Sequence, residues 1–272
     1  DFITARLEEA EADLLVLPEL CASGYQFVSQ EEVFRLAEPV PDGVTTKRLV
    51  DIAARRRMTI VAGLPERDGR HCFNSAVVVG PKGFIGCYRK THLFFEETLW
   101  FTPGDSGFHV WDIGMAKVGV MICFDWYYPE SARTLALQGA DIIAHPSNLV
   151  LPHCPDSMVT RCLENRVFSV TANRIGSEAR GGKDRLTFIG MSEVVSPRGR
   201  ILHRAPRETE DLTIVGAAWI RSDPGAEPEV KRRLAAQGLT VAGKPSLRFV
   251  LVWETDVADV DVHLIDGKGV PQ

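Results

Sequence analysis

Short, strongly apolar runs recur along the chain, separated by stretches in which apolar residues return at helical spacing. Leu14-Leu15-Val16-Leu17 reads as a buried strand closed by Pro18. Residues 2–12 before it, with Phe2, Leu7 and Ala10 set among Arg and Glu, read as a surface helix. A second helix is expected over residues 45–57 and a strand over 59–63. Strands at 75–79 and 84–88 flank Gly80-Pro81-Lys82-Gly83, a turn composition that predicts a hairpin. Further on, 117–123 predicts a buried strand and 129–139 a helix capped by Gly139. A strand over 141–145, a helix over 158–165 and a strand over 168–172 follow, then a hairpin of 188–195 and 200–203 around Ser196-Pro197-Arg198-Gly199. This alternation points to an α/β or layered α+β domain.

Composition narrows the class. The 272 residues carry 31 Lys and Arg against 36 Asp and Glu, a formal charge of −5, with 45% hydrophobic and 25% charged residues. Such a balance argues against wholesale disorder and against the basic surface of a nucleic-acid binder. No apolar run approaches the roughly 18 residues of a spanning helix, so neither nucleic acid nor membrane is expected as a partner. The opening Asp1-Phe2-Ile3-Thr4-Ala5-Arg6 lacks the basic and apolar regions of a secretory signal. Six cysteines scattered through a chain of this length predict reduced thiols and a cytoplasmic setting.

Candidate chemistry sits just beyond three separate strands: Glu19 after the first, Lys90 after 84–88, and Cys123 at the end of 117–123. Strand ends are where a rigid scaffold converges side chains into one pocket. Taken singly, each residue has an ordinary explanation, as a solvated loop carboxylate, a surface lysine or a core cysteine. Together they form a coherent set. A nearby ammonium and a helix N-terminus both favour a thiolate at Cys123. Attack on an amide carbonyl develops an oxyanion that Lys90 and the Phe124 backbone N–H could stabilise, while Glu19 moves protons.

The local words are Leu17-Pro18-Glu19-Leu20, Tyr88-Arg89-Lys90-Thr91-His92-Leu93-Phe94 and Ile122-Cys123-Phe124-Asp125-Trp126-Tyr127-Tyr128-Pro129-Glu130. In that order, and joined by His145-Pro146-Ser147-Asn148, Leu163-Glu164-Asn165-Arg166, Ala172-Asn173-Arg174-Ile175-Gly176 and Phe188-Ile189-Gly190-Met191-Ser192, they resemble the nitrilase superfamily of carbon–nitrogen hydrolases. The resemblance covers residues 1–215 and implies an α+β fold, a four-layer α-β-β-α sandwich, paired into homodimers or higher homo-oligomers. It implies Cys123 as nucleophile, Glu19 as general base and Lys90 as the oxyanion's cation. A second glutamate belongs between the lysine word and a Pro-Gly pair; Glu97, upstream of Pro103-Gly104, is preferred there over Glu96. No metal or organic cofactor is implied. Trp126 and Tyr127 are expected against the substrate, Phe124 beside it, and Tyr25 and Asn148 as further pocket residues. Cys-Phe-Asp followed by Pro129-Glu130 looks like the branches that hydrolyse small amides and carbamoyl amides, with nitriles as the alternative.

Rival readings have weaker support. A Cys-His dyad has His92, His145 and His153 to draw on, but no protease word surrounds Cys123, and His145 reads as a satisfied polar residue ending a buried strand. His145, His153, Cys154 and Cys162 fit no zinc spacing, and Gly181-Gly182-Lys183 lacks the context of a phosphate loop. A catalytically inactive hydrolase-like binding module is the alternative of another class. Intact Glu19, Lys90 and Cys123 argue against it.

The family's usual first strand is expected to be missing from residues 1–215, and residues 216–272 differ in character. Residues 222–228 look like a linker, 229–237 like a short helix and 247–253 like a strand, as part of a partial β-rich module at the C-terminus. Strand 247–253 is a candidate to cover the edge that the missing strand would leave. The acidic cluster Asp256, Asp259 and Asp261 reads as a solvated strand edge in preference to a cation site.

Overall fold

The architecture comes from a computed structural model that describes residues 3, 7, 8, 10 and 12–208 and the backbone of residues 249–251. The first strand, β1 (Leu14–Val16), leads through a long loop to helices α1 (Gln30–Leu36) and α2 (Val44–Arg56). Strands β2 (Thr59–Asp68), β3 (His71–Gly80) and β4 (Gly83–Arg89) form an antiparallel meander that lies beside β1, which pairs with β2 in parallel. After the one-turn helix α3 (Glu97–Trp100) come β5 (Val110–Asp112) and β6 (Lys117–Val120), a 3-10 turn at Cys123–Tyr127, α4 (Pro129–Leu137) and β7 (Ile142–Pro146). Then follow α5 (Cys154–Asn165), β8 (Phe168–Ala172), the short pair β9 (Ser177–Glu178) and β10 (Leu186–Thr187), and finally β11 (Glu193–Val195), β12 (Ile201–Arg204) and β13 (Phe249–Leu251).

Among the described residues two large sheets result, ordered β13-β1-β2-β3-β4 and β12-β11-β8-β7-β6-β5, beside the two-stranded β10-β9 pair. The period-2 alternation of strand side chains divides the apolar residues between layers. Leu14, Val16, Val61, Ala76 and Val78 face inward and meet Val118, Val120, Ala144 and Val170 of the second sheet. Their alternates, Leu15, Leu17, Ile60, Ala62, Val77 and Val79, face outward and are covered by Leu49, Ile52 and Ala53 of α2. Ala132 and Leu135 of α4 and Met158 of α5 cover the outer face of the other sheet. The result is the α-β-β-α sandwich, and strands buried on both faces read as the unbroken apolar runs from which they were inferred.

Several elements depart from expectation. Strands β2 and β3 are about twice as long as 59–63 and 75–79 suggest. Residues 64–68 contain Pro and three charged side chains and look like a loop. They extend as a strand because buried Glu66 accepts from Ser75 Oγ (2.6 Å) and Arg89 Nη2 (2.6 Å) on the neighbouring strands. Helix α1 is absent from the sequence reading. It is capped by Ser29, whose hydroxyl accepts from the Glu32 N–H. The hairpin expected from residue 188 pairs only from Glu193 onward, against Ile201–Arg204. Gly139 follows α4 at φ +89°, a left-handed position suited to glycine.

At the sheet edge, β13 runs parallel to β1, Leu14 opposite Phe249 and Val16 opposite Leu251. The expected linker, the short helix and the acidic cluster at 256–261 lie outside the described residues. Among the described residues no helix is long and apolar enough to cross a membrane.

Candidate active site

Glu19 leaves β1 through Pro18, and Leu20 then turns the chain at φ 49°. This turn passes so close to β2 that a Cβ on Gly63 would lie 2.5 Å from Glu19 Cα, so only glycine admits the contact. Lys90 follows β4 directly, tied by its N–H to Asn74 O (2.8 Å). Glu97 opens α3. These three side chains meet inside the protein. Lys90 Nζ donates to Glu19 Oε1 (2.6 Å) and to Glu97 Oε1 (2.8 Å), and all three side chains are essentially without solvent exposure. Asn74 Nδ2 also donates to Glu19 Oε1 (2.7 Å), and the Tyr25 hydroxyl to Glu97 Oε1 (2.6 Å). Glu96, the neighbouring candidate, turns away to the half-exposed Lys183.

Burial and charge set the protonation states. Burial pushes the Glu19 carboxyl up to about 7; the Lys90 ammonium pulls against this and the Glu97 carboxylate adds to it. Burial alone would favour a neutral Lys90, but Glu19 and Glu97 outweigh it and hold the ammonium above the ordinary lysine range. At Cys123, burial and then Glu19 push the thiol well above its usual value, against the opposing pull of Lys90. The thiolate expected from sequence is therefore not the resting state: desolvation and a facing carboxylate outweigh the ammonium. The expected helix dipole is also missing, because Cys123 begins a 3-10 turn and α4 starts only at Pro129.

Cys123 sits at φ 41°, in the left-handed region that non-glycine residues seldom occupy. Asp125 braces the turn. Its buried carboxylate accepts from Ile122 N (2.9 Å), the Tyr88 hydroxyl (2.8 Å), His92 N (3.1 Å) and His92 Nδ1 (2.7 Å). The Cys123 turn is thus fastened to the segment that carries Lys90. Asn148 Nδ2 donates to Glu19 O (2.8 Å), joining β7's end to β1's.

The cavity in front of Cys123 is small, about 10 Å³, and is lined by Phe94, Cys123, Phe124, Trp126, Asn148 and residues 149–151. A 3-10 turn brings every third residue to the same side, so Trp126 stands over Cys123. Tyr127 is 56% exposed and stacks on Phe124 outside that lining. Tyr25 lies behind, on Glu97, and not on the cavity wall. Phe94 and residues 149–151 were not among the sequence candidates, nor was Asn74, whose position in an apolar strand, Phe73-Asn74-Ser75, was the available signal. A larger cleft, about 690 Å³, lies at the opposite ends of β1 and β4, near Asp13, Lys82 and Asp112, and holds none of these groups. Among the described residues no cluster of His, Cys, Asp and Glu could hold a metal ion.

Known proteins resemble this chain in sequence and fold. The carbon-nitrogen hydrolase family model matches residues 2–218. A nitrilase of Pyrococcus abyssi is 55% identical over 203 residues, 75% of this chain and 76% of that protein. An (R)-stereoselective amidase of a Pseudomonas species is 37% identical over 73% of this chain and 70% of its own length. A crystal structure of a mutant amidase from Nesterenkonia, with acrylamide added to its active-site cysteine, matches 75% of this chain and 80% of its own at TM-score 0.63 and 29% identity.

Proposed function

The chain belongs to the carbon–nitrogen hydrolase family, and from that premise we propose that it hydrolyses a small amide or carbamoyl amide through a thioester on Cys123, releasing ammonia. That it is an amidase- or nitrilase-type hydrolase of C–N bonds follows from the family. The finer reading is carried by one observation: Lys90 bridges Glu19 and Glu97 in an enclosed cluster whose charges act on the Cys123 thiol.

In this reading Glu19 takes the Sγ proton as sulfur attacks the carbonyl carbon. The Lys90 ammonium and the Phe124 N–H meet the negative charge that develops on oxygen. Glu19 then passes the proton to the departing nitrogen as the C–N bond breaks, leaving ammonia and a thioester. Water attacks the thioester, Glu19 takes its proton, and breaking the C–S bond returns that proton to sulfur. Glu97 holds Lys90 in place beside the developing charge. The tight apolar cavity, with Trp126, Phe124 and Asn148 on its wall, favours a small uncharged acyl group.

The Pyrococcus abyssi relative is named a nitrilase, so a small aliphatic nitrile is the second reading. Ammonia release across small amides, carbamoyl compounds and nitriles separates the two. Amides are expected to turn over fastest, with Cys123→Ala at least about 10³-fold slower. Faster nitrile turnover selects the second reading, and activity surviving Cys123→Ala rejects both.

A further inference from the structure

Among the described residues, one of the buried ionisable groups that the mechanism leaves unused touches the Cys123 backbone. His145, near the end of β7, is fully enclosed. Its Nε2 lies 2.9 Å from the Cys123 carbonyl oxygen and 3.2 Å from Ser147 Oγ, and its Nδ1 lies 3.0 Å from Thr171 Oγ1. A carbonyl oxygen only accepts, so Nε2 carries the proton. Burial holds the ring neutral, with its pKa down at about 4, which leaves Nδ1 as an acceptor for the Thr171 hydroxyl. The contacts therefore select one tautomer, and that tautomer grips the carbonyl of a residue whose φ of 41° has little intrinsic preference to stay there.

The peptide between Cys123 and Phe124 is trans. In a trans peptide the C=O and N–H point in opposite directions. Drawing the Cys123 carbonyl towards His145 therefore turns the Phe124 N–H away from β7, and Cys123 and Phe124 both line the cavity. A hydrogen bond accepted at the carbonyl also polarises the same peptide's N–H, making it a stronger donor.

We propose that His145 is a positioning residue that aims and polarises the Phe124 N–H as an oxyanion donor, acting through the Cys123 carbonyl. The inference rests on the proposed hydrolase mechanism. It makes a separable claim: His145 serves a step that develops charge on oxygen, and does not serve the sulfur's reactivity as such.

Alkylation of Cys123 by iodoacetamide provides the contrast, because displacement at a saturated carbon forms no oxyanion. In His145→Leu, kcat on the best amide should fall about 100-fold, while KM and the alkylation rate at pH 8, read by mass spectrometry, stay within about threefold of the parent. His145→Gln, which carries an amide N–H to about the reach of Nε2, should recover kcat to within about tenfold. Thr171→Val provides an independent arm if His145→Leu does not fold. It frees the ring to take the other tautomer and should lower kcat about tenfold with alkylation unchanged. Unchanged kcat in both the Leu and Val variants, or turnover and alkylation falling in parallel, overturns the inference. A parent protein that hydrolyses no amide or nitrile, or an active Cys123→Ala, fails the underlying mechanism instead.

Discussion

Replacing Gly63 by alanine tests how tightly the scaffold places Glu19, the proposed base. The added Cβ would lie 2.5 Å from Glu19 Cα and 2.7 Å from both Leu20 N and Pro18 O, where ordinary contact begins at 3.4 Å. All three are backbone atoms, so no side chain can rotate out of the way. Strand β2 is paired with β3 from Ile60 to Asp68, whereas the 18–20 segment is a turn, so the turn is the part that moves. Relieving the overlap requires a shift of about 1 Å at Glu19, and a displacement of that size costs on the order of 100-fold in rate. The overpacking itself costs about 1–3 kcal/mol, a fall in Tm of several degrees for a domain of this size. The assay pairs kcat/KM on the best amide with a thermal melt. A variant that melts lower yet keeps the parent's kcat/KM would refute the claim that this backbone contact sets the position of Glu19.

The pH profile follows from Glu19. As the proposed base it must be deprotonated, and its pKa near 7 predicts that kcat/KM is level above that pH and falls about tenfold per unit below about pH 6. A limb near 4.5, the value for an unperturbed carboxyl, would exclude the buried Glu19 as the titrating group. At the cavity wall, Trp126→Ala should raise KM for the smallest amides about tenfold and admit bulkier ones. Tyr127→Ala should stay within about twofold on both counts, since exposed substitutions away from a site are nearly neutral, and a KM effect equal to that of Trp126→Ala would return Tyr127 to the substrate's side.

The limits of the sequence reading have physical reasons. Glu19, Lys90 and Cys123 stand directly after strands whose apolar runs are unmistakable, so both the scaffold and the placement are readable. Residues 123–127, for which the sequence predicts no element, form a 3-10 turn whose pitch sets Trp126 over Cys123 and Tyr127 outside the cavity lining. Asn74 escaped notice because it lies in the half of β3 that the expected strand 75–79 leaves out, so no side-chain direction is assigned to it. Here it faces two carboxylates. The Asp125 brace escaped for another reason: its partners, Tyr88 and His92, come from a distant strand end, and no local spacing reveals a long-range contact.

Charge accounting explains why the resting thiol need not be ionised. With Glu19 ionised, the enclosed cluster holds two carboxylates, one ammonium and a neutral thiol. Moving the sulfur proton to Glu19 leaves one carboxylate, one ammonium and a thiolate, so the total charge in this solvent-free space does not change. Creating a net charge there would cost several kcal/mol in desolvation; relocating one costs only the difference in how well each site is held. The Asn148 backbone N–H at the sulfur and the Lys90 ammonium favour the relocated charge, and Glu19's share of the repulsion at Cys123 disappears once Glu19 has taken the proton, leaving burial and Glu97 to oppose the thiolate. In the proposed mechanism the nucleophile is thus formed at the moment of attack by the same carboxylate that must later protonate the leaving nitrogen. Glu19 can serve both steps because its pKa lies near neutrality, where giving up and receiving a proton are comparably easy.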